Sequence, residues 1–159
     1  MSGTDKISED PPGRNIASLS IPARRDAFEQ LRVRLLTVAE ELRIPERETD
    51  HLLIAADEVF SNIAAYAYPG GEGTVEVLIE EDVEETELRL IFSDRGIPFD
   101  PLAAAPPDTA APPAERRIGG LGIHVVRKLM DRVDYRRTGD GRNVLTLEKR
   151  FPAPEEARS

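Results

Sequence analysis

The spacing of hydrophobic residues changes its period along this chain of 159 residues. Within residues 23–42, and again within residues 45–63, apolar residues recur every three or four positions, as they do on one face of an amphipathic helix. In residues 74–80 and 87–92 they alternate with polar residues, as in a strand with one buried face. A chain that contains both periods is expected to pack helices against a sheet.

The remaining segments complete this pattern. Residues 14–21 alternate as a first strand, residues 123–130 continue a glycine-rich start as a third helix, and residues 132–137 and 142–151 form a final hairpin. Proline and alanine dominate residues 97–118, which predicts a long loop that is either a functional lid or a disordered segment. The expected fold class is α+β, a two-layer sandwich with a mixed, mostly antiparallel sheet and three helices on one face.

The length of the chain fits one domain, which we place at residues 14–151 between a flexible tail at 1–13 and a charged tail at 152–159. Cysteine is absent, which excludes disulfides and thiolate chemistry. No apolar run is long enough to span a membrane, and the first residues lack the apolar stretch of a signal peptide, so we expect a cytoplasmic protein. The net charge of −9 disfavours contact with a nucleic-acid backbone. We therefore expect neither nucleic acid nor a membrane as a direct partner.

The second predicted helix carries Glu58 and Asn62, four residues apart. Side chains at this spacing lie one turn apart on the same helical face and can meet one ligand. The amide oxygen of Asn62 suits Mg²⁺, a hard cation that takes oxygen ligands and shares its coordination with phosphates. The Glu58 carboxylate can accept a proton from an attacking hydroxyl or water, or orient it. A motif this short also fits a solvated helix face, so it does not identify a site by itself.

A second motif, Asp94-Arg95-Gly96, comes directly after a predicted strand. A carboxylate at the end of a strand can accept a hydrogen bond from an exocyclic amino group such as that of adenine. A glycine beside it lets the backbone approach a base, because it has no Cβ. Asp and Gly are also common turn residues, so a simple strand-to-loop turn remains the alternative.

The third motif, Gly119-Gly120-Leu121-Gly122, precedes the third predicted helix and follows the long loop. Free backbone amides at a helix N-terminus bind phosphate oxygens, and glycines remove steric bulk there. The alternative is a flexible hinge for the loop, and both roles are compatible because a lid needs a hinge.

Together, the three motifs occur in the order that one nucleotide site requires: a metal-binding helix, a base-reading strand end, a lid and a phosphate-binding helix start. The chain has no G-x-x-x-x-G-K-[ST] pattern and no G-x-G-x-x-G after a strand, so the common alternative nucleotide sites are missing.

These motifs resemble the N, G1 and G2 boxes of the GHKL superfamily, which has the Bergerat ATP-binding fold. They read ADEVFSNIAAYAYPG, FSDRGIPFDP and GGLGIHVVRKLMD, and the likeness covers most of the chain. Larger members carry a transducer or phosphoacceptor domain that 159 residues cannot accommodate. A stand-alone domain of this form resembles the anti-sigma-factor serine/threonine-protein kinases, the group of the sporulation and general-stress anti-sigma factors.

The resemblance implies ATP and Mg²⁺ as cofactors. By that likeness, Asn62 would hold Mg²⁺ and Glu58 would be the general base for the substrate serine. Gly120 and Gly122, within the run that also contains Gly119 and Leu121, would border the phosphates.

The same likeness assigns the adenine end of the site. Asp94 would read the adenine amino group, with Gly96 beside the base. Thr146, in the last strand, would place a hydroxyl near the adenine.

The implied function is that of a partner-switching regulator. Such a protein binds a sigma factor and phosphorylates a serine of a STAS-domain antagonist, and two copies would pair through residues 14–42. The alternative is a non-catalytic module in which the nucleotide gates partner binding through the lid. A further possibility is a scaffold that has lost nucleotide binding.

Overall fold

The computed structural model describes residues 13–103 and 120–153 of the chain. Within these residues, five strands and three helices follow one another in the predicted order. They are β1 (Arg14–Pro22), α1 (Phe28–Glu41), α2 (Glu46–Tyr66), β2 (Thr74–Asp82), β3 (Glu87–Asp94), α3 (Gly120–Leu129), β4 (Arg132–Arg137) and β5 (Asn143–Arg150). Short 3₁₀ turns lie at Arg25–Ala27 and Pro101–Ala103.

The five strands form one sheet in the order β1-β2-β3-β5-β4. Every described pair of neighbours is antiparallel, including the hairpins β2–β3 and β4–β5. The predicted α+β fold is therefore confirmed, with an antiparallel sheet at each pairing rather than a mixed one. The crossover through α3 makes β4 run in the same direction as β3, but β5 lies between the two strands and pairs with both.

The core lies between the sheet and the helices. Alternate residues of β2 and of the central strand β3 are fully buried against the helical layer, as Val77 and Ile79 of β2 and Leu90 of β3 are. From the helices, Leu35 of α1 and Phe60 of α2 belong to the same buried cluster. This packing sets α2 against β3 and β5, so that Asn62 faces the end of β3 and the start of β5.

Two helices begin at different residues from those predicted. The first was expected to span residues 23–42, but α1 begins at Phe28 after a 3₁₀ turn. The backbone N–H of Ala23 donates to the Gly73 carbonyl at 2.9 Å, which holds the chain beside the start of β2 and delays the helix. The third helix begins earlier than predicted, because α3 already includes Gly120.

Parts of the predicted tails and of the predicted lid lie outside the described residues. These are residues 1–12 of the N-terminal tail, residues 104–118 of the lid, and residues 154–159 of the C-terminal tail. Among the helices that the structure describes, none combines the length and apolar character needed to cross a membrane.

Candidate nucleotide site

A pocket that is partly open to solvent lies between α2, α3 and the adjoining ends of β3 and β5. Its walls are mainly apolar, with four polar side chains among them. The lining residues are Val59, Asn62, Ile63, Ala67, Phe92, Asp94, Phe99, Pro101, Ile123, Tyr135, Asn143 and Leu145. An apolar pocket with a few convergent polar groups is typical of a small-molecule site.

Asp94 is the last residue of β3, and only 5% of it is exposed. The backbone N–H of Gly96 donates to its Oδ1 at 2.8 Å, and Nδ2 of Asn143 donates to the same atom at 2.9 Å. Within the described residues, both bonds that Asp94 accepts therefore end on Oδ1. Oδ2 is then the oxygen that remains to accept a hydrogen bond from a ligand.

Gly96 lies against the C-terminal end of α2. A Cβ at this position would collide with the backbone carbonyl and the Cβ of Ala67. The neighbouring Ile97 N–H donates to the same carbonyl at 2.9 Å. The sequence predicted a glycine that gives a base access to the backbone; the structure shows that this glycine permits a close helix–loop contact that supports Asp94.

Asn62 and Glu58 lie one turn apart on α2, as their spacing predicted. Asn62 lines the pocket together with Asp94. Glu58 lies further towards α3, where its carboxylate sits so close to Gly122 that a side chain at that position would collide with Oε1. The structure thus brings the first and third sequence motifs into direct contact.

The first turn of α3 contains Gly120, Leu121 and Gly122. Amides in a first helical turn lack intrahelical partners, which is the arrangement that binds phosphate oxygens. The predicted site residue Gly119 lies outside the described residues. For Leu121 the structure describes the backbone only.

Thr146 is not brought to the pocket. On β5, Leu145 and Leu147 are buried in the core on the helical side of the sheet, so the residue between them points to the opposite face. This position on the opposite face of the sheet does not support the expected place of the Thr146 hydroxyl near the adenine. The polar residue of β5 that lines the pocket is Asn143, three positions earlier.

Sequence reasoning missed Asn143 and the two side chains that hold it. Tyr135 Oη donates to Asn143 Oδ1 at 2.6 Å, and Arg137 Nη1 donates to the same oxygen at 3.2 Å. The available signal was a polar residue at the first position of the last strand. That signal becomes informative only once β5 is known to pair with β3, which sets Asn143 opposite Asp94.

The possible metal ligands around Asn62 can be compared with the coordination that Mg²⁺ usually has in proteins. Among the described residues, no group of three or more His, Cys, Asp or Glu side chains forms a self-sufficient metal cage. Mg²⁺ in nucleotide sites usually takes one or two protein oxygens and completes its shell with phosphates and water. The single carboxamide oxygen of Asn62, in a pocket whose other walls are mainly apolar, fits that mode of coordination.

Comparison with known proteins identifies the class. Residues 21–149 match the histidine kinase-like ATPase domain family, and the chain belongs to it. Its relatives include the serine-protein kinase RsbW of Bacillus pumilus, 30% identical over 125 residues, which are 76% of this chain and 77% of the relative. RsbW of Listeria monocytogenes is 32% identical over 73% of this chain and 76% of its own length.

The serine/threonine-protein kinase BtrW of Bordetella bronchiseptica is a third relative, 32% identical over 65% of this chain and 71% of its own. These relatives confirm the family and the kinase class that the motifs predicted.

Solved structures share the fold. The RsbU and RsbW domains of a Mycobacterium tuberculosis protein superpose with a TM-score of 0.59 at 18% identity, over 87% of this chain and 34% of that longer chain. A chain of the SiaB–SiaC complex from Pseudomonas aeruginosa gives a TM-score of 0.56 at 16% identity, over 86% of this chain and 91% of its own.

Proposed function

We propose that this protein is a Mg-ATP-dependent serine/threonine-protein kinase that acts on a protein partner. The observation that carries the proposal is the convergence of three separate motifs. Asn62 and Asp94 line one pocket, and Glu58 of the same helix lies against the first turn of α3. A base-binding end, a metal-binding side chain and a phosphate-binding helix start are the parts that phosphoryl transfer needs.

In this proposal the nucleotide is oriented from both of its ends. The adenine amino group donates to Asp94, and the apolar walls, among them Val59 and Ile123, cover the ring faces. The phosphates lie near the start of α3, where free amides and the positive end of the helix dipole favour anions. The side-chain oxygen of Asn62 would hold Mg²⁺, which supplies neutralisation of the phosphate charge.

Glu58 is the proposed general base. It accepts the proton of the substrate serine hydroxyl as the serine Oγ forms a bond to the γ-phosphorus. The bond between that phosphorus and the β–γ bridging oxygen breaks, and ADP leaves. The place of Glu58 beside Gly122 supports this role, since it puts the carboxylate at the end of the site where the phosphates are expected.

The proposed partners follow from the relatives that are named RsbW. We propose a STAS-domain antagonist as the phosphorylated protein and a sigma factor as the alternative binding partner, so that phosphorylation decides which partner is held. The proposal places the protein in the cytoplasm, where sigma factors act, and pairs two copies through residues 14–42.

The test is transfer of labelled phosphate from ATP to a STAS-domain protein encoded in the same genome. Wild type should label the antagonist on serine. Glu58→Gln should bind ADP as wild type does but transfer about a hundredfold more slowly, or worse, because general-base catalysis typically contributes that much.

The matched control is Asp57→Asn on the same helix. Asp57 is exposed, and its carboxylate accepts a hydrogen bond from the Ser61 hydroxyl at 3.1 Å, so this variant should label at the wild-type rate. Transfer by Glu58→Gln at the wild-type rate would exclude Glu58 as the base. A wild-type protein that binds the antagonist and ATP without labelling would instead be the non-catalytic, nucleotide-gated module.

A further inference from the structure

Asn143 is the most densely hydrogen-bonded side chain among the described residues around the pocket. It begins β5, and 6% of it is exposed. Its Nδ2 donates to Asp94 Oδ1 at 2.9 Å and to the Ile97 carbonyl at 2.8 Å. Its Oδ1 accepts from Tyr135 Oη at 2.6 Å and Arg137 Nη1 at 3.2 Å, with the Phe99 N–H at 3.4 Å.

These partners determine which way the amide points. A flipped amide would set Oδ1 against the Asp94 carboxylate, acceptor against acceptor, and would set Nδ2 against the Arg137 guanidinium, donor against donor. Only the observed orientation pairs every donor with an acceptor. Arg137 is itself held, because its Nη1 also donates to the Gly96 carbonyl at 3.0 Å.

In this orientation the Asn143 amide has no capacity left for a ligand. Both Nδ2 protons are donated, and the two lone pairs of Oδ1 already face three donors. Asn143 therefore lines the pocket without a hydrogen bond to the base. It acts on a ligand indirectly, by holding the Asp94 carboxylate.

We propose that Asn143, locked by Tyr135 and Arg137, is a positioning residue that fixes Asp94 so that Oδ2 alone reads the base. Asn143 occupies one side of Oδ1 and the Gly96 N–H occupies the other, so the carboxylate cannot rotate without breaking two hydrogen bonds. Because the carboxylate is fixed, a base with an exocyclic amino group meets an acceptor at a set position. A base with a carbonyl oxygen in the same place would set that oxygen against Oδ2 of Asp94, and two acceptors cannot form a hydrogen bond.

The proposal rests on the nucleotide site proposed above, and the experiment separates the two. Calorimetry with the full chain measures the dissociation constants of ADP and of inosine diphosphate, which carries a carbonyl oxygen where ADP carries the amino group. The readout is the dissociation constant of inosine diphosphate divided by that of ADP. A general loosening of the pocket weakens the binding of both nucleotides equally and leaves this ratio unchanged.

For wild type we expect ADP to bind more tightly than inosine diphosphate. Asn143→Ala should weaken ADP about tenfold, as expected for a misplaced charge-assisted hydrogen bond, and leave inosine diphosphate within twofold. Asn143→Asp has the same shape but replaces the donor by an acceptor beside Asp94, so it should lower the ratio at least as much. If Asn143→Ala unfolds below the assay temperature, the isosteric variant Asn143→Asp still tests the proposal.

Asp134→Ala and Asp134→Asn are the control variants. Asp134 is exposed on the edge strand β4, next to Tyr135 in the chain, and these substitutions should leave the ratio unchanged. Tyr135→Phe removes one of the donors to Oδ1 and should give a smaller fall than Asn143→Ala.

Equal weakening of both nucleotides by the Asn143 variants, or no change in either, would overturn the positioning role while the nucleotide site stands. Failure of wild type to bind ADP would overturn the nucleotide site and this proposal with it.

Discussion

The carboxylate of Glu58, on α2, lies directly against the backbone of Gly122 in the first turn of α3. The two residues are 64 positions apart in the sequence, and the packing of α2 on α3 brings them together. The carboxylate occupies the space that any side chain at residue 122 would need. The identity of residue 122 therefore controls the position of Glu58.

The first prediction concerns this contact. Gly122→Ala should push the Glu58 carboxylate away from its position and lower phosphoryl transfer about a hundredfold, since small displacements of a catalytic group have effects of that size. Binding of ADP should fall much less, which separates the effect from loss of the pocket. Gly139→Ala is the control, because no atom lies within 4 Å of a Cβ there. Steady-state transfer rates that match wild type would rule out the steric link.

Asn62 is the subject of the second prediction. Asn62→Ala should weaken ADP in the presence of Mg²⁺ by about tenfold and have little effect when the metal is chelated, because the lost oxygen binds the metal rather than the nucleotide. Calorimetry with and without EDTA measures both values. An equal loss under the two conditions would show that Asn62 contacts the nucleotide directly.

The third prediction concerns the packing of Gly96. Gly96→Ala introduces a methyl group against the backbone of Ala67, and neither backbone can move freely because Ile97 bonds to the same carbonyl. We expect a loss of about 1–3 kcal/mol in the free energy of unfolding, the usual cost of overpacking. Urea denaturation measures it, with Gly70→Ala as the control at a position with open space. A stability equal to that of Gly70→Ala would contradict the close contact.

The fourth prediction concerns Glu87, which lies on the sheet face away from the helices. Burial of this carboxylate raises its pKa above 4.5, with Glu148 adding to the shift and Arg89 and Arg150 opposing it. Desolvation, together with the charges of Glu148 and Asp82, thus outweighs the ion pairs to Arg89 at 3.6 Å and to Arg150 at 3.9 Å.

The sign of the pH dependence follows from that raised pKa. The folded state binds the proton more tightly than the unfolded state, so this contribution to stability is full below about pH 4.5 and is lost as the pH rises through the folded pKa. Glu87→Gln should therefore be more stable than wild type at pH 7, and the difference should shrink in acid. Thermal melting between pH 4 and pH 8 checks this, and a wild type more stable than Glu87→Gln at pH 7 would contradict it.

Most of the helices and strands were predictable because each depends on a local period. The four-residue spacing in α2 placed Glu58 and Asn62 on one face, and the position of Asp94 at the end of a strand indicated it as a base reader. Gly96 was predicted as a site residue for a different reason from the one that the structure gives, because its contact with Ala67 joins segments that are distant in sequence.

Thr146 and Asn143 show where the sequence alone was insufficient. Successive side chains of a strand point to opposite faces, so Asn143 and Leu145 line the pocket while Thr146, the residue suggested by the resemblance, lies on the other face of β5. The sequence by itself determined the periods, the order of the motifs and the family resemblance, since all three are local in the chain. Only the tertiary structure decided that β5 lies between β3 and β4, and so that Asn143 meets Asp94, because strand order depends on packing between distant segments.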